Sequence, residues 1–481
     1  MKTSQKGNAV IIILAALGIA IAGAIGAGWY AYQLYSTVPL IQESDNIANR
    51  PHDDLLPEEI VNENGELDPI SITEEPISGQ SPDASGHAEP PIEFKDYPIA
   101  KDSSPTVAAS NQFAFKLYDQ YKNTDDNVFF SPYSISSALQ MTYEGARGKT
   151  AQEMASVFHF PNNAATRVGS FAKLYEQINP QNAAYQLSTA NALWAQKDYP
   201  FDPNYLKTAE TYYRGKATNL DFVSNTENSR QTINQWVSDK TAQKIPELFS
   251  PGSLNPLTRL VLTNAIYFKG KWASPFEKET TQEKDFTAST RAKIKCQMMN
   301  QQKTFNYAQT PDYQALELPY ENNDLSMLVI LPQNGKMTSV ESGLTTEKFI
   351  AIKKSMASEL VDVYLPKFKF DTSYNMNQTL AKMGMPTAFD EMSADFSGMY
   401  DRSKINENLY IGLVIHKAYI DVYEEGTEAA AATGVAMQTT SAIMDPPQPK
   451  IFNADHPFIF AIVHNDTGGI LFMGKVNNPN K

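Results

Sequence analysis

One cysteine, Cys296, is all that the 481 residues contain. An intrachain disulfide is therefore excluded, and so is any cysteine-built metal cluster. In the Ala292–Met298 segment it reads as a half-buried structural thiol, with nothing to lower its pKa toward a nucleophile's. Histidine is nearly as scarce: His52, His87, His159, His416, His456 and His464 make six. None falls in an H-E-x-x-H pattern, and no G-x-S-x-G elbow occurs. His416 has no partner at metal-ligand spacing and reads as a hydrogen-bonded core histidine. A phosphate loop is missing too. Gly145–Thr150 ends in Gly-Lys-Thr, but Tyr143 stands where the first glycine is required, and Ala138–Tyr143 reads as helix rather than strand. Thr150 and Glu153 instead have capping-box spacing ahead of Met154, Val157 and Phe158. No constellation for enzyme chemistry remains, and no cofactor or metal is called for.

A basic stripe is also lacking, which removes nucleic acid from the partners. The formal charge is −14, but residues 43–96 hold fifteen Asp or Glu against Arg50 and Lys95, a net of −13. Lys2 and Lys6 add +2, so the chain beyond residue 96 carries −3. The acidity belongs to a linker and not to a binding face. Ahead of that linker, Ala9–Gly28 is an uncharged run of bilayer-spanning length. Lys2 and Lys6 precede it and Trp29, Tyr30, Tyr32 and Tyr35 follow, the arrangement of a signal-anchor with a cytoplasmic N-terminus. Small-residue sites at Ala22–Ala24 and Ile25–Ala27 make a cleaved signal peptide the alternative. On either reading residues 1–35 export the remainder, which is held on the extracellular face of the membrane or secreted. Residues 36–104 are acidic, rich in proline and too poor in apolar residues to bury a face, so they read as a disordered tether.

Residues 105–481 are a single domain on this reading. Phe113, Leu117 and Tyr121 recur at helical spacing, and Ser131-Pro132 starts a second helix, with serine as cap and proline at the first helical position. Ile233, Trp236 and Val237 mark another helix. Strand patterns then dominate at 260–268, 315–318, 325–331 and 361–370, with Glu321–Asp324 as a hairpin turn. Ser373–Met383 returns to helix, and 458–463 with 470–473 forms a closing hairpin. Helices come mostly first and strands mostly later, which gives an α+β fold.

One stretch does not fit this alternation. Glu424–Gly434 reads Glu-Glu-Gly-Thr-Glu-Ala-Ala-Ala-Ala-Thr-Gly and follows the strand-like Ala418–Tyr423. Four alanines favour helix, yet no amphipathic face accompanies them. Small side chains on both faces suit insertion between two strands of a packed sheet.

This segment resembles the reactive-loop hinge of the serpins, protease inhibitors that insert that loop into their own sheet. The resemblance extends over about Thr106–Pro479. Ser131-Pro132-Tyr133-Ser134-Ile135 looks like the family's motif beneath the main sheet. Thr263–Trp272 is a near-verbatim match to its central strand and following turn. His416 falls where the family carries its shutter histidine, and Ala454–Phe458 and Gly468–Val476 match its C-terminal signatures.

The resemblance implies helices packed around a large, mainly antiparallel central sheet, with smaller sheets and an exposed reactive loop. It implies a hinge at Gly426, Thr427, Glu428, Ala429, Ala430, Ala431 and Ala432. Ser131, Ser134, Asn264, Trp272 and His416 become shutter and breach residues, with His416 bonded to Ser134 and Asn264 across the place where the sheet opens. Counting the family's hinge length from Gly426 gives Thr440–Ser441 as the reactive bond. The 441–457 return is a few residues long for the family, so Ser441–Ala442 and the region of Met444 are alternatives. A small residue before the bond implies elastase-like or subtilisin-like serine proteases as targets, a cysteine protease being the further candidate. Arg167 and Lys173 are isolated, so no sulfated polysaccharide cofactor is implied. A monomer is expected. The alternative within the family is a non-inhibitory binding or carrier protein, which would carry charged or bulky hinge residues.

Overall fold

The computed structural model describes residues 94–181, 184–405, 407–427 and 448–481. Among them, nine α-helices span Ser104–Tyr121 (α1), Pro132–Tyr143 (α2), Gly148–Phe158 (α3), Ala164–Ile178 (α4), Pro203–Tyr213 (α5), Thr226–Lys240 (α6), Met337–Ser342 (α7), Thr346–Ser355 (α8) and Asn377–Met383 (α9). The strands are Val128–Phe130 (β1), Tyr185–Gln196 (β2), Lys216–Leu220 (β3), Leu260–Lys271 (β4), Gln282–Thr287 (β5), Lys293–Gln309 (β6), Tyr313–Pro319 (β7), Leu325–Pro332 (β8), Ala357–Pro366 (β9), Phe368–Asn375 (β10), Leu413–Tyr423 (β11), Gly426–Thr427 (β12), Lys450–Asn453 (β13), Phe458–His464 (β14) and Gly469–Val476 (β15).

Two sheets result. The larger runs β1-β15-β14-β8-β7-β6-β9-β13, with β5 on β6, and the other runs β10-β11-β12-β4-β2-β3. Strand β4 shows why both faces of the second sheet are covered. Its even residues Leu260, Leu262, Ile266 and Phe268 enter the main core, while Val261 and Ala265 face a separate cluster with Ile233 and Val237 of α6. The two-residue period thus serves two cores, and the strand reads as one unbroken apolar run.

Several expectations change on contact with the structure. The apolar run 361–370 is two strands in different sheets, separated at Lys367, whose amide donates to the Gln297 carbonyl. Ser373–Asn375 continues β10, and helix α9 begins only at Asn377. Helix α3 starts at Gly148, so Thr150 and Glu153 are not a capping box. Their side chains hold the 387–395 segment instead. Thr150 Oγ1 accepts from the Asp395 amide, and Glu153 accepts from the Thr387 amide and hydroxyl.

The folded part also reaches back into the segment assigned to the tether. Phe94 stacks on Tyr212, and Tyr212 Oη donates to Asp96 while accepting from the Tyr97 amide. The Ala100 amide donates to the Gly169 carbonyl. Among the described residues no helix is long and apolar enough to cross a membrane. Residues 1–93, including the run at 9–28, lie outside them.

Candidate functional site: a gap between two strands

Strands β11 and β4 are hydrogen-bonded neighbours over half their length, from Leu413–Val261 to Ala418–Ile266, and they run parallel. Such a pair is out of place in a sheet whose other long contacts, β2–β4 and β10–β11, are antiparallel. Two strands flanking a common antiparallel neighbour are parallel to each other, so the pair marks the place of a missing strand. At the other end that strand has begun. Thr427 of β12 lies between Val422 and Gly270, and Gly426 between Tyr423 and Lys271, antiparallel to both.

Thr427 is 1% exposed, and its hydroxyl is hydrogen-bonded to the Tyr320 hydroxyl at 2.8 Å. Tyr320 stacks on Trp272 with centroids 4.6 Å apart and meets Phe268 edge-on. Trp272 donates from its indole nitrogen to the Tyr423 carbonyl, and its amide donates to the Glu425 carbonyl. Gly426 adopts φ +152°, and a Cβ there would run into the Gly270 carbonyl oxygen. Only glycine fits so close a backbone approach. The turn into β12 is held by charge. Burial pushes the Glu424 carboxyl upward, but the Lys367 ammonium at 2.9 Å and the Thr281 hydroxyl outweigh it and hold the group below the usual range. Glu425 pairs with the exposed Lys278 at 2.7 Å.

The zipped end has a different chemistry. The Ser131 amide donates to Nε2 of His416, which leaves the proton on Nδ1 to donate to Asn264 Oδ1. Asn264 Nδ2 donates to both Ser134 Oγ and Asn191 Oδ1, each at 2.7 Å. Ser131 Oγ caps α2 by accepting from the Ser134 amide, and donates to the Leu471 carbonyl. Burial pushes the His416 imidazole down to about 3, so the network is neutral.

Ser131, Ser134, Asn264 and His416 thus form one cluster, and Trp272 joins Gly426 and Thr427 at the other end. One detail departs from expectation: His416 meets the Ser131 backbone and Asn264, and reaches Ser134 only through Asn264. Asn191, Tyr320, Lys278 and Lys367 belong to the site although no motif singles them out. Glu428–Ala432, Thr440 and Ser441 lie outside the described residues. Cys296 is buried, its thiol pushed up to about 11 by desolvation.

The family profile described as Serpin (serine protease inhibitor) matches residues 108–479. The chain belongs to the serpin family. It is 45% identical over 386 residues to a serpin-like protein of Thermococcus kodakarensis, covering 80% of this chain and 88% of that one. It is 40% identical over 383 residues to the leukocyte elastase inhibitor of Xenopus tropicalis, covering 77% and 99%. The solved structure of human thyroxine-binding globulin with its ligand superposes with a TM-score of 0.71 at 29% identity, over 79% of this chain and all of that one.

Proposed function

We propose that this serpin inhibits serine endopeptidases as a suicide substrate, by cleavage of its reactive loop and insertion of that loop between β4 and β11. The observation that carries this reading is the register. Thr427 pairs with Gly270 and Val422, which are 152 positions apart (422 minus 270). The direct pair Leu413–Val261 is also offset by 152 (413 minus 261). A strand continuing from Thr427 therefore fits without either neighbour sliding along its axis. The two strands need only part sideways.

Continuing the register sets the faces of the inserted strand. Ala429 falls between Phe268 and Ile420, Ala431 between Ile266 and Ala418, Thr433 between Asn264 and His416, and Val435 between Leu262 and Val414. All these positions face the main core, and none carries a charge. Glu428 falls on the opposite face, where Ala432 and Ala436 come level with Ala265 and Val261 on the side of the sheet that packs on α6. About ten additional ladder hydrogen bonds at roughly 1 kcal/mol each rival the whole stability of an ordinary domain. Insertion is effectively irreversible, and the uncut protein is a kinetically trapped state.

Fold alone does not separate an inhibitor from a carrier; the thyroxine-binding structure shares this architecture. The uncharged, small-residue insertion face favours the inhibitor. Thr440 before the reactive bond suits a shallow primary pocket, which favours elastase-like or subtilisin-like targets, and a relative named as an elastase inhibitor agrees with that. The Ala9–Gly28 run supports action outside the cell, anchored or released.

Incubation with a panel of serine proteases tests the reading. A covalent complex that survives boiling in detergent is expected with elastase-like or subtilisin-like enzymes, together with a C-terminal fragment beginning at Ser441. Cleavage by all of them without any such complex contradicts the reading. A fragment beginning beyond Met444 moves the bond.

A further inference from the structure

We propose that Asp455 and His456 form a proton-operated clasp on β13, firm while the imidazole is charged and loosened when its proton leaves to water. It rests on the reading above only where residues 428–449 are called a reactive loop; β13 is then the base of that loop's return leg. Strand β13 ends the larger sheet, and its four residues Lys450–Asn453 pair with Val361–Tyr364 of β9. Phe452 is buried, but Ile451 is 62% exposed. So short an edge ladder opens at little free-energy cost unless something beyond it holds.

A knot of hydrogen bonds beyond it does so. The Ala454 amide donates to the Tyr364 carbonyl, and the Asp455 carbonyl accepts from the Thr287 amide at the end of β5. Asn453 Nδ2 donates to Asp455 Oδ2 at 3.0 Å. His456 closes the knot onto β8. Its Nδ1 lies 2.7 Å from Asp455 Oδ1, and its Nε2 lies 2.7 Å from the Pro332 carbonyl oxygen. Neither the carboxylate nor the carbonyl has a proton to give, so each ring nitrogen must carry one and the ring is an imidazolium. A neutral ring has one N–H. It keeps the carboxylate, the stronger acceptor, and turns a lone pair toward the Pro332 carbonyl, so the knot lets go of β8.

Burial pushes this imidazole down, but the Asp455 carboxylate and the Pro332 carbonyl outweigh it and hold the group above its ordinary 6.5. The other charges around the knot are engaged elsewhere: Asp285 with Lys295, Asp312 with Lys336, Lys284 over the Tyr364 ring, and Asp362 with Asn300 and the Tyr364 hydroxyl. The Cys296 thiol, pushed up to about 11, stays protonated in neutral and mildly alkaline solution. A pKa raised by folding gives stability that is complete below about pH 6.5 and is lost as pH rises through the raised value. The sense is opposite to that of His416, whose ring the fold keeps uncharged. The His456 side chain is 18% exposed, so water reaches the proton.

The test is hydrogen–deuterium exchange of the uncut, full-length protein at pH 6 and pH 9, with protection taken relative to the intrinsic rate at each pH. It needs no target protease, so its failure is separate from that of the inhibitor reading. In the parent, peptides covering Lys450–Asp455 should lose protection on the order of tenfold between the two pH values, while β2 and β4 keep theirs. His456→Gln, which has no charge to lose, should show low protection at both. His456→Arg, a permanent cation with donors for both acceptors, should stay protected at both. Constant protection of β13 in the parent overturns the clasp. So does a loss on raising the pH that persists in either variant, or one of equal size in β2 and β4.

Discussion

The two ends of the gap between β4 and β11 are built from opposite materials. At the hinge end the backbone is already parted, and the groups around it are charged: Glu424 with Lys367, Glu425 with Lys278. At the other end the strands are bonded directly to each other, and the side chains are neutral amides, hydroxyls and one uncharged imidazole. Both carboxylates are largely covered, but each lysine partner keeps contact with water, so these pairs are screened by salt and are weaker than a fully enclosed network. A buried neutral network has no solvent to fall back on, so breaking it leaves several polar groups without partners. The contrast teaches where the insertion barrier lies. On the insertion reading, loop entry at the hinge is the easier step, and passage through the His416–Asn264 cluster is the step that must be forced. Thr433 can then take up, in the inserted register, a hydrogen-bonding place between those two residues.

The largest effect should come from spoiling the easier end. Thr427→Arg puts a long cation where a 1%-exposed hydroxyl meets Tyr320, at a desolvation cost of several kcal/mol. A delay of that size slows insertion by orders of magnitude, so ester hydrolysis wins the race. The stoichiometry of inhibition should rise at least roughly tenfold, read by titrating residual protease activity. An unchanged stoichiometry would mean that the loop does not enter through Thr427.

Next in size is relaxation of the whole gap. Cutting the loop with a non-target protease should raise Tm by roughly 10–15 °C, given about 10 kcal/mol gained in a domain of this size. A Tm that stays put or falls on nicking would point to the non-inhibitory reading.

Asn264→Ala then sharpens the contrast between the ends. It strands His416 Nδ1 and removes one bond each from Ser134 and Asn191, which keep their bonds to one another, and should lower the Tm of the uncut protein by several degrees, about 2–4 kcal/mol. Lys278→Ala at the charged end should leave the Tm nearly unchanged. Equal losses from the two variants would erase the distinction between the ends.

Acid should shift stability by less than Asn264→Ala does. The His416 pKa lies near 3 in the fold, below its ordinary 6.5, so its contribution is complete above about pH 6.5 and is lost as pH falls toward 3. Between pH 7 and 5 that one group should cost about 2 kcal/mol, a few degrees of Tm. Burial lowers His159 and His464 in the same direction. Melting of His416→Gln should therefore show a shallower pH slope than the parent, and identical slopes would remove His416 from the balance.

Much of this was legible in the chain. Ser131 and Pro132 announce the start of α2 because a cap acts locally, and β4 and the closing hairpin are long apolar runs that any burial argument finds. Gly426 and Thr427 of the expected hinge form β12, while Glu428–Ala432 lie outside the described residues. What was not legible depends on distant partners. Lys367 divides one apolar run between two sheets, and no local signal marks the division. Thr150 and Glu153 have the spacing of a cap, yet the 387–395 segment claims both side chains. Phe94 and Tyr97 look like linker aromatics until Tyr212 is beside them. Tyr320 and Asn191 carry no periodicity that distinguishes them from other residues of their strands, and only pairing across the sheet brings them to the site.

The most direct test of the central claim is a crystal structure of the loop-cleaved protein. The account predicts a full strand between β4 and β11 that keeps the register of Thr427, with Ala429 beside Phe268 and Thr433 between Asn264 and His416. A cleaved protein in which Leu413–Ala418 still pairs directly with Val261–Ile266 would contradict it.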